Sequence, residues 1–127
     1  MQGVMRIVVF CSDMERSRCF YSDAGFTMVE MQGGMCTFDA GGGTEVLLHP
    51  AGEGRARVPC DLALHVRVQD VDDLFVRVRE HGLIPFDHDQ PGVELRQPVR
   101  RPWGDREFEL ADPDGYRWAF TSPAANV

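Results

Sequence analysis

The chain has 127 residues and a formal net charge of −7, which allows one domain or two small halves around a shared core. That acidity repels nucleic acid and anionic membrane. No apolar run approaches the length of a membrane span, and the N-terminus lacks a secretory pattern, so a cytoplasmic protein is expected.

Val4 to Cys11 is β-rich and reads as a first strand. Ser12-Asp13-Met14-Glu15 fits a capping box, with Ser12 accepting from the first turn and Glu15 reaching back, and it opens a helix that Gly25 stops. Strands follow near Thr27–Met31, Met35–Asp39 and Glu45–His49, separated by Gly33-Gly34 and Gly41-Gly42-Gly43. Pro50 to Cys60 has no periodicity and reads as a linker. Leu62 to Val68 is the next strand. Asp70 starts a second helix whose Val71, Leu74, Phe75 and Val78 keep the clearest helical period in the chain, and Gly82 ends it. Strands are expected near Leu83–Phe86, Val93–Pro98, Arg106–Ala111 and Tyr116–Thr121, the last two joined by the turn Asp112-Pro113-Asp114-Gly115.

The two halves repeat each other. One offset superimposes Asp13 on Asp70, Met14 on Val71, Tyr21 on Val78 and Gly25 on Gly82, so each half reads strand, capped helix, glycine stop, and the copies must pair to bury their apolar faces. The expected fold class is α+β: two βαβββ repeats (1–50 and 61–122, with linker 51–60 and tail 123–127) in one domain. Each forms a curled mixed sheet with its helix on the convex side and a concave ligand cleft. Cys11, Cys19, Cys36 and Cys60 form neither a CxxC pair nor a His-linked zinc spacing, so reduced, packed thiols are expected.

The paired units, the segment SDMERSRCFY and above all PWGDREFELADPDGYRWAF resemble the vicinal-oxygen-chelate superfamily, and within it the glyoxalase/bleomycin-resistance branch. In that superfamily's enzymes, His, Gln or Glu residues on the first and last strand of each unit hold a divalent metal. The resemblance places those positions at Arg6, Val46, Ala63 and Ala119, none of which offers a donor atom, although a one-residue slip would bring in Glu45. No metal and no cofactor are therefore expected. The resemblance then points to the members that are homodimers and sequester an antibiotic where two protomers meet.

Strand alternation assigns residues to the cleft. Arg6, Val8 and Phe10 face it if Ile7, Val9 and Cys11 lie under the helix, and Ala63, His65 and Arg67 face it by the same count. Phe38 falls on the cleft side if Met35 and Thr37 face the helix. Trp118 and Phe120 read as core. Glu107 and Glu109 alternate with apolar Phe108 and Leu110, which turns both carboxylates toward the cleft, while Arg100-Arg101 reads as a solvated basic spot. Trp103, in a Pro-Trp-Gly loop, either covers core or lines a site.

The expected ligand-binding residues are Phe10, Phe38, Val46, His65, Trp103, Glu107 and Glu109. The expected function is sequestration of an aromatic or cationic drug or natural product without chemical modification. The alternative is a metal-independent isomerase or lyase acting on a small oxygenated metabolite, with Glu45, Glu107 or His65 as general base.

Overall fold

The computed structural model describes residues 1–52 and 61–124. Most of the expected linker and tail thus lies outside the described residues, as does Cys60. The chain divides into two compact units, residues 1–60 with Asp112–Asp114, and residues 61–111 with 115–127.

In the first unit, β1 (Arg6–Cys11) leads into α1 (Met14–Asp23), followed by β2 (Thr27–Gln32), β3 (Met35–Asp39) and β4 (Glu45–Pro50). The sheet order is β1-β4-β3-β2, with β1 parallel to β4 and the other pairs antiparallel. The second unit repeats the plan with β5 (Ala63–Arg67), α2 (Val71–Glu80), β6 (Val99–Arg100), β7 (Arg106–Ala111) and β8 (Arg117–Ser122). Its order is β5-β8-β7-β6, and β5 runs parallel to β8. The fold is therefore α+β, with two four-stranded mixed sheets and one helix per unit.

Both helices start on an aspartate. The Asp13 carboxylate accepts from the Arg16 backbone and the Asp70 carboxylate from the Asp73 backbone, which satisfies amide groups that the first turn leaves without a helical partner. The capping box expected at Ser12 is thereby corrected. The Ser12 amide donates to the Asp114 carboxylate at 3.2 Å, and Glu15 pairs with Arg18 one turn along rather than reaching back. Asp114 belongs to the DPDG turn, where its own amide donates to Asp112 at 2.9 Å. The buried Tyr21 hydroxyl donates to the other Asp112 oxygen at 2.8 Å, so this turn also completes the core of the first unit.

The two strands expected after α2 are a second correction. Around Leu83–Phe86 there is only an isolated bridge from Phe86 to Glu109. Val93–Pro98 is irregular, and the strand of this region is the short β6 at Val99–Arg100. Pro85, Pro91 and Pro98 explain this, because each lacks the amide that a ladder needs.

Cys11 and Cys36 are buried and Cys19 is exposed. Burial pushes the Cys11 thiol up to about 11, and burial raises Cys36 as well. A thiolate is the reactive form, so in the folded protein Ellman's reagent should modify Cys19 well before Cys11 or Cys36. Peptide mapping after a short exposure reads the order directly.

Candidate functional site on the open faces of the two sheets

The face of each sheet away from its helix is where polar side chains collect. In the second unit the ladder aligns His65 with Ala119 and Ala119 with Glu109, and in the neighbouring row Arg67 with Thr121 and Thr121 with Glu107. The opposite face carries Phe108, Leu110, Trp118 and Phe120, all buried. There the Phe108 ring lies 5.3 Å from Phe75 of α2 and 5.4 Å from Phe120. The apolar pairs that alternate with the glutamates thus turn those glutamates onto the open face.

Glu107 and Glu109 are nevertheless only 6% and 2% exposed, and a buried carboxylate needs compensation. Arg101 supplies it for Glu107, with Nε donating to Oε1 at 2.6 Å. Thr121 donates to the second oxygen of Glu107 at 3.1 Å, and His65 Nδ1 lies 3.8 Å from it. The rest of the Arg101 guanidinium turns to Asp87 at 2.8 and 3.4 Å and to Asp89 at 3.4 Å. His88 serves Glu109 twice: its backbone amide donates to Oε2 at 2.7 Å, and ring Nδ1 meets the same oxygen at 2.8 Å. Nδ1 therefore carries the proton, and Nε2 points away, 3.4 Å from Asp89. Arg117 lies 3.3 Å from the remaining Glu109 oxygen.

Burial alone would push Asp87 up. The hydrogen bonds from Arg101 and the Asp89 backbone, with the charges of Arg101 and His88, hold it below the ordinary carboxylate value. Hydrogen bonding to Asp87 chiefly, and to Glu107, raises Arg101 in turn, which keeps the guanidinium charged.

Arg101 also begins the loop that carries Trp103. Its backbone amide donates to the Asp105 carbonyl at 2.7 Å, and its carbonyl accepts from Gly104 at 2.9 Å. Asp105 receives the Trp103 indole N–H at 2.9 Å and the Ala124 amide at 2.8 Å. Gly104 has φ +99°, and a Cβ there would stand 2.8 Å from the Ala124 side chain, so only glycine fits. Trp103 is thus held by its edge with 66% of its surface exposed.

In the first unit Arg6, Val8 and Phe10 alternate with the buried Val9 and Cys11, and they register with Glu45, Leu47 and His49. Phe10 and His49 rings meet at 5.3 Å, and Arg6 lies 3.9 Å from Glu45. Phe10 thus lies on the open face.

Phe38 and Val46 do not, and their expected placement is corrected. Both are fully buried and opposite each other in the ladder, and the Phe38 ring lies 5.9 Å from Tyr21 of α1. Strands β3 and β4 carry apolar residues on both faces, so alternation left the parity open. Burying Phe38 in preference to Thr37 removes more apolar surface from water.

His65 and Trp103 are accessible, whereas Glu107 and Glu109 sit on the expected face but under the Asp87–His88–Arg101 cover. That cover is what sequence reading missed, and Arg101 is not the solvated residue expected. Two carboxylates on the inner side of a core strand were the available signal, since they require nearby cations.

The observed register puts Glu45, not Val46, opposite Arg6. Glu45 faces that guanidinium, and Ala63 and Ala119 have no donor, so these positions do not fit a divalent ion. Asp87, His88 and Glu109 place one ligand atom each within 4.8 Å of one another, but Arg101 already engages both Asp87 oxygens. No helix among the described residues is long and apolar enough to cross a membrane.

Comparison with solved structures finds the same fold repeatedly. TnmS3, an antibiotic-binding protein from Streptomyces sp. CB03234, is 26% identical over 98% of each chain, with a TM-score of 0.73. TioX from Micromonospora sp. ML1 is 24% identical over 94% of this chain and 98% of its own, with a TM-score of 0.70. Lactoylglutathione lyase from Agrobacterium tumefaciens is 18% identical over 96% and 94%, with a TM-score of 0.67. No curated protein matches by sequence. The Glyoxalase/Bleomycin resistance protein/Dioxygenase superfamily model matches residues 3–120, and with two βαβββ units in that order the chain belongs to this superfamily.

Proposed function

We propose that this protein is a cytoplasmic homodimer that sequesters an aromatic or cationic natural product or antibiotic where two protomers meet, without modifying it. The observation that carries this reading is the division of labour around Arg101. The acidic groups of the second sheet are occupied by fixed internal partners, while Trp103 on the same loop is held out. Such an arrangement offers a preformed aromatic wall, which lowers the ordering cost of binding. His65, on the same sheet, adds contact surface of mixed polarity, and Phe10 with His49 forms an aromatic patch of its own on the first sheet. The net charge of −7 favours a cationic guest. The similarity to the antibiotic-binding TnmS3 supports the same reading.

Sequestration needs only mass action, so the test is stoichiometric. A thermal-shift screen against DNA-damaging and peptide antibiotics should give a hit that raises the melting temperature through linkage. Isothermal titration should then saturate at a fixed number of guests per dimer, with the guest recovered unchanged by mass spectrometry. Turnover of guest by catalytic amounts of protein would sink the proposal.

One observation favours the enzymatic alternative, an isomerase or lyase on a small oxygenated metabolite. His88 is oriented by the buried Glu109 through Nδ1, and its Nε2 faces the exposed Asp89 carboxylate at 3.4 Å, so a substrate that displaces Asp89 would meet an oriented imidazole nitrogen, as a general base requires. In that reading His88 takes the role expected of Glu45, Glu107 or His65. His88→Gln would then abolish product formation, whereas it would weaken sequestration modestly.

A further inference from the structure

A second cluster of chemically distinctive side chains lies in the first unit, apart from the open face of its sheet. A cavity of about 240 Å³ opens between the start of α1 and the β2–β3 hairpin, and its lining includes Met14, Met31, Met35 and Cys36, with Glu15 and Arg18. Three of the chain's six methionines and a buried thiol thus border one space. The register explains how they meet. Met31 and Cys36 are direct partners in the antiparallel ladder, so their side chains share a face. At Phe38, two residues from Cys36, that face meets Tyr21 of α1, while Met31 lies on the edge strand β2 with 63% of its surface exposed. Met14 is the first residue of α1. The Gly33-Gly34 turn has positive φ at both residues, and the Met35 Cε stands 4.0 Å from where a Cβ on Gly33 would be. Met35 alternates with Cys36 and so leaves β3 on its other face, and it borders the cavity where its thioether lies against this turn.

We infer that this cavity is a site for a soft monovalent cation of the copper(I) or silver(I) class. Thioether and thiol sulfur are the donors such ions prefer, and they need only two or three. The lining does not suit a hard divalent ion, since its single carboxylate, Glu15, is already paired with Arg18. Arg18 and the amino end of α1 oppose a bare cation, but they do not oppose a neutral complex. As the metal–sulfur bond forms, Cys36 Sγ loses its proton to the buffer. The thiolate and the monovalent ion then cancel, and the metal keeps its oxidation state throughout. The inference is independent of the guest-binding proposal, because it uses none of the same residues.

The test is a titration of the full chain with silver nitrate in chloride-free buffer under nitrogen. The competing thiols are removed by Cys19→Ser and Cys60→Ser, and the methionine ε-methyl groups carry ¹³C. Met14, Met31 and Met35 should shift and saturate at one equivalent with release of one proton, while Met1, Met5 and Met28 stay in place. Met31→Leu and Met14→Leu keep the apolar volume and the fold, checked by circular dichroism, and each should weaken binding by about tenfold or more. The inference is overturned if all six methyl groups shift together or if silver is taken up with no methionine moving. It is equally overturned if both leucine variants bind as the parent does.

Discussion

Replacing Arg101 by methionine should destabilise the protein by about 3–5 kcal/mol, the usual cost of removing one partner from a buried ion-pair network. The side chain is 9% exposed and bonds Glu107 at 2.6 Å and Asp87 at 2.8 Å. Without it, two buried carboxylates lose their main cation, and Thr121 alone cannot compensate Glu107. The melting temperature should fall by roughly 10–20 °C, and urea denaturation should show the loss as a lower midpoint at unchanged slope. The deficit should also depend on pH. The folded-state value of Asp87 lies below its ordinary value. Its contribution is therefore complete above the unfolded carboxylate range and disappears as pH falls through the depressed folded value. The parent loses that contribution in acid and the variant never had it, so the gap between their unfolding free energies should narrow from pH 7 toward pH 3. A gap that stays constant over that range would mean Arg101 acts by packing alone. Arg101→Lys should recover only part of the loss, because an ammonium cannot fork to Glu107 and Asp87 together.

The parts of this molecule that the sequence disclosed are those governed by local chemistry. The helix from Asp70 to Gly82 shows its apolar period, its capping aspartate and its glycine stop within a single window, and the structure has α2 there. The repeat offset carried the same plan to the first half. The apolar Phe108–Leu110 and Trp118–Phe120 pairs fixed the face of β7 and β8, because only one side of each strand could be core. Where both sides were apolar, as at Cys36–Phe38 and Val46–Leu48, the parity was undetermined, and Phe38 and Val46 proved to be core. The polar cover was hidden for a different reason. Arg101 reaches Asp87 across fourteen residues, and His88 reaches Glu109 across twenty-one. Such pairings arise from the way β6 and the preceding loops fold over β7, which no local pattern encodes. The prolines at 85, 91 and 98 marked that region as irregular without saying what it covers.

Trp103→Ala should reduce affinity for any guest found in the screen by about 2–4 kcal/mol, or roughly 30- to 1,000-fold, as expected for an aromatic anchor at the centre of a contact. The expectation follows from how the residue is held. Its indole N–H is bonded to Asp105, which also fixes Ala124, so the ring is set in place before a guest arrives and binding need not order it. Because the ring covers no core, stability should change by less than about 1 kcal/mol, which separates a binding defect from a folding defect. The chain has two tryptophans, and Trp118 is buried. Quenching of the exposed, red-shifted emission component therefore reports on Trp103, and that component should be absent from the variant. Trp103→Phe keeps a stacking face but loses the Asp105 bond, so its affinity should lie between parent and alanine variant. Asp105→Ala should weaken binding even though the ring remains, since the loop loses the carboxylate that ties Trp103 to Ala124. Equal affinities for the parent and Trp103→Ala would move the aromatic wall to Phe10 and His49 on the first sheet, and Phe10→Ala would then become the decisive variant.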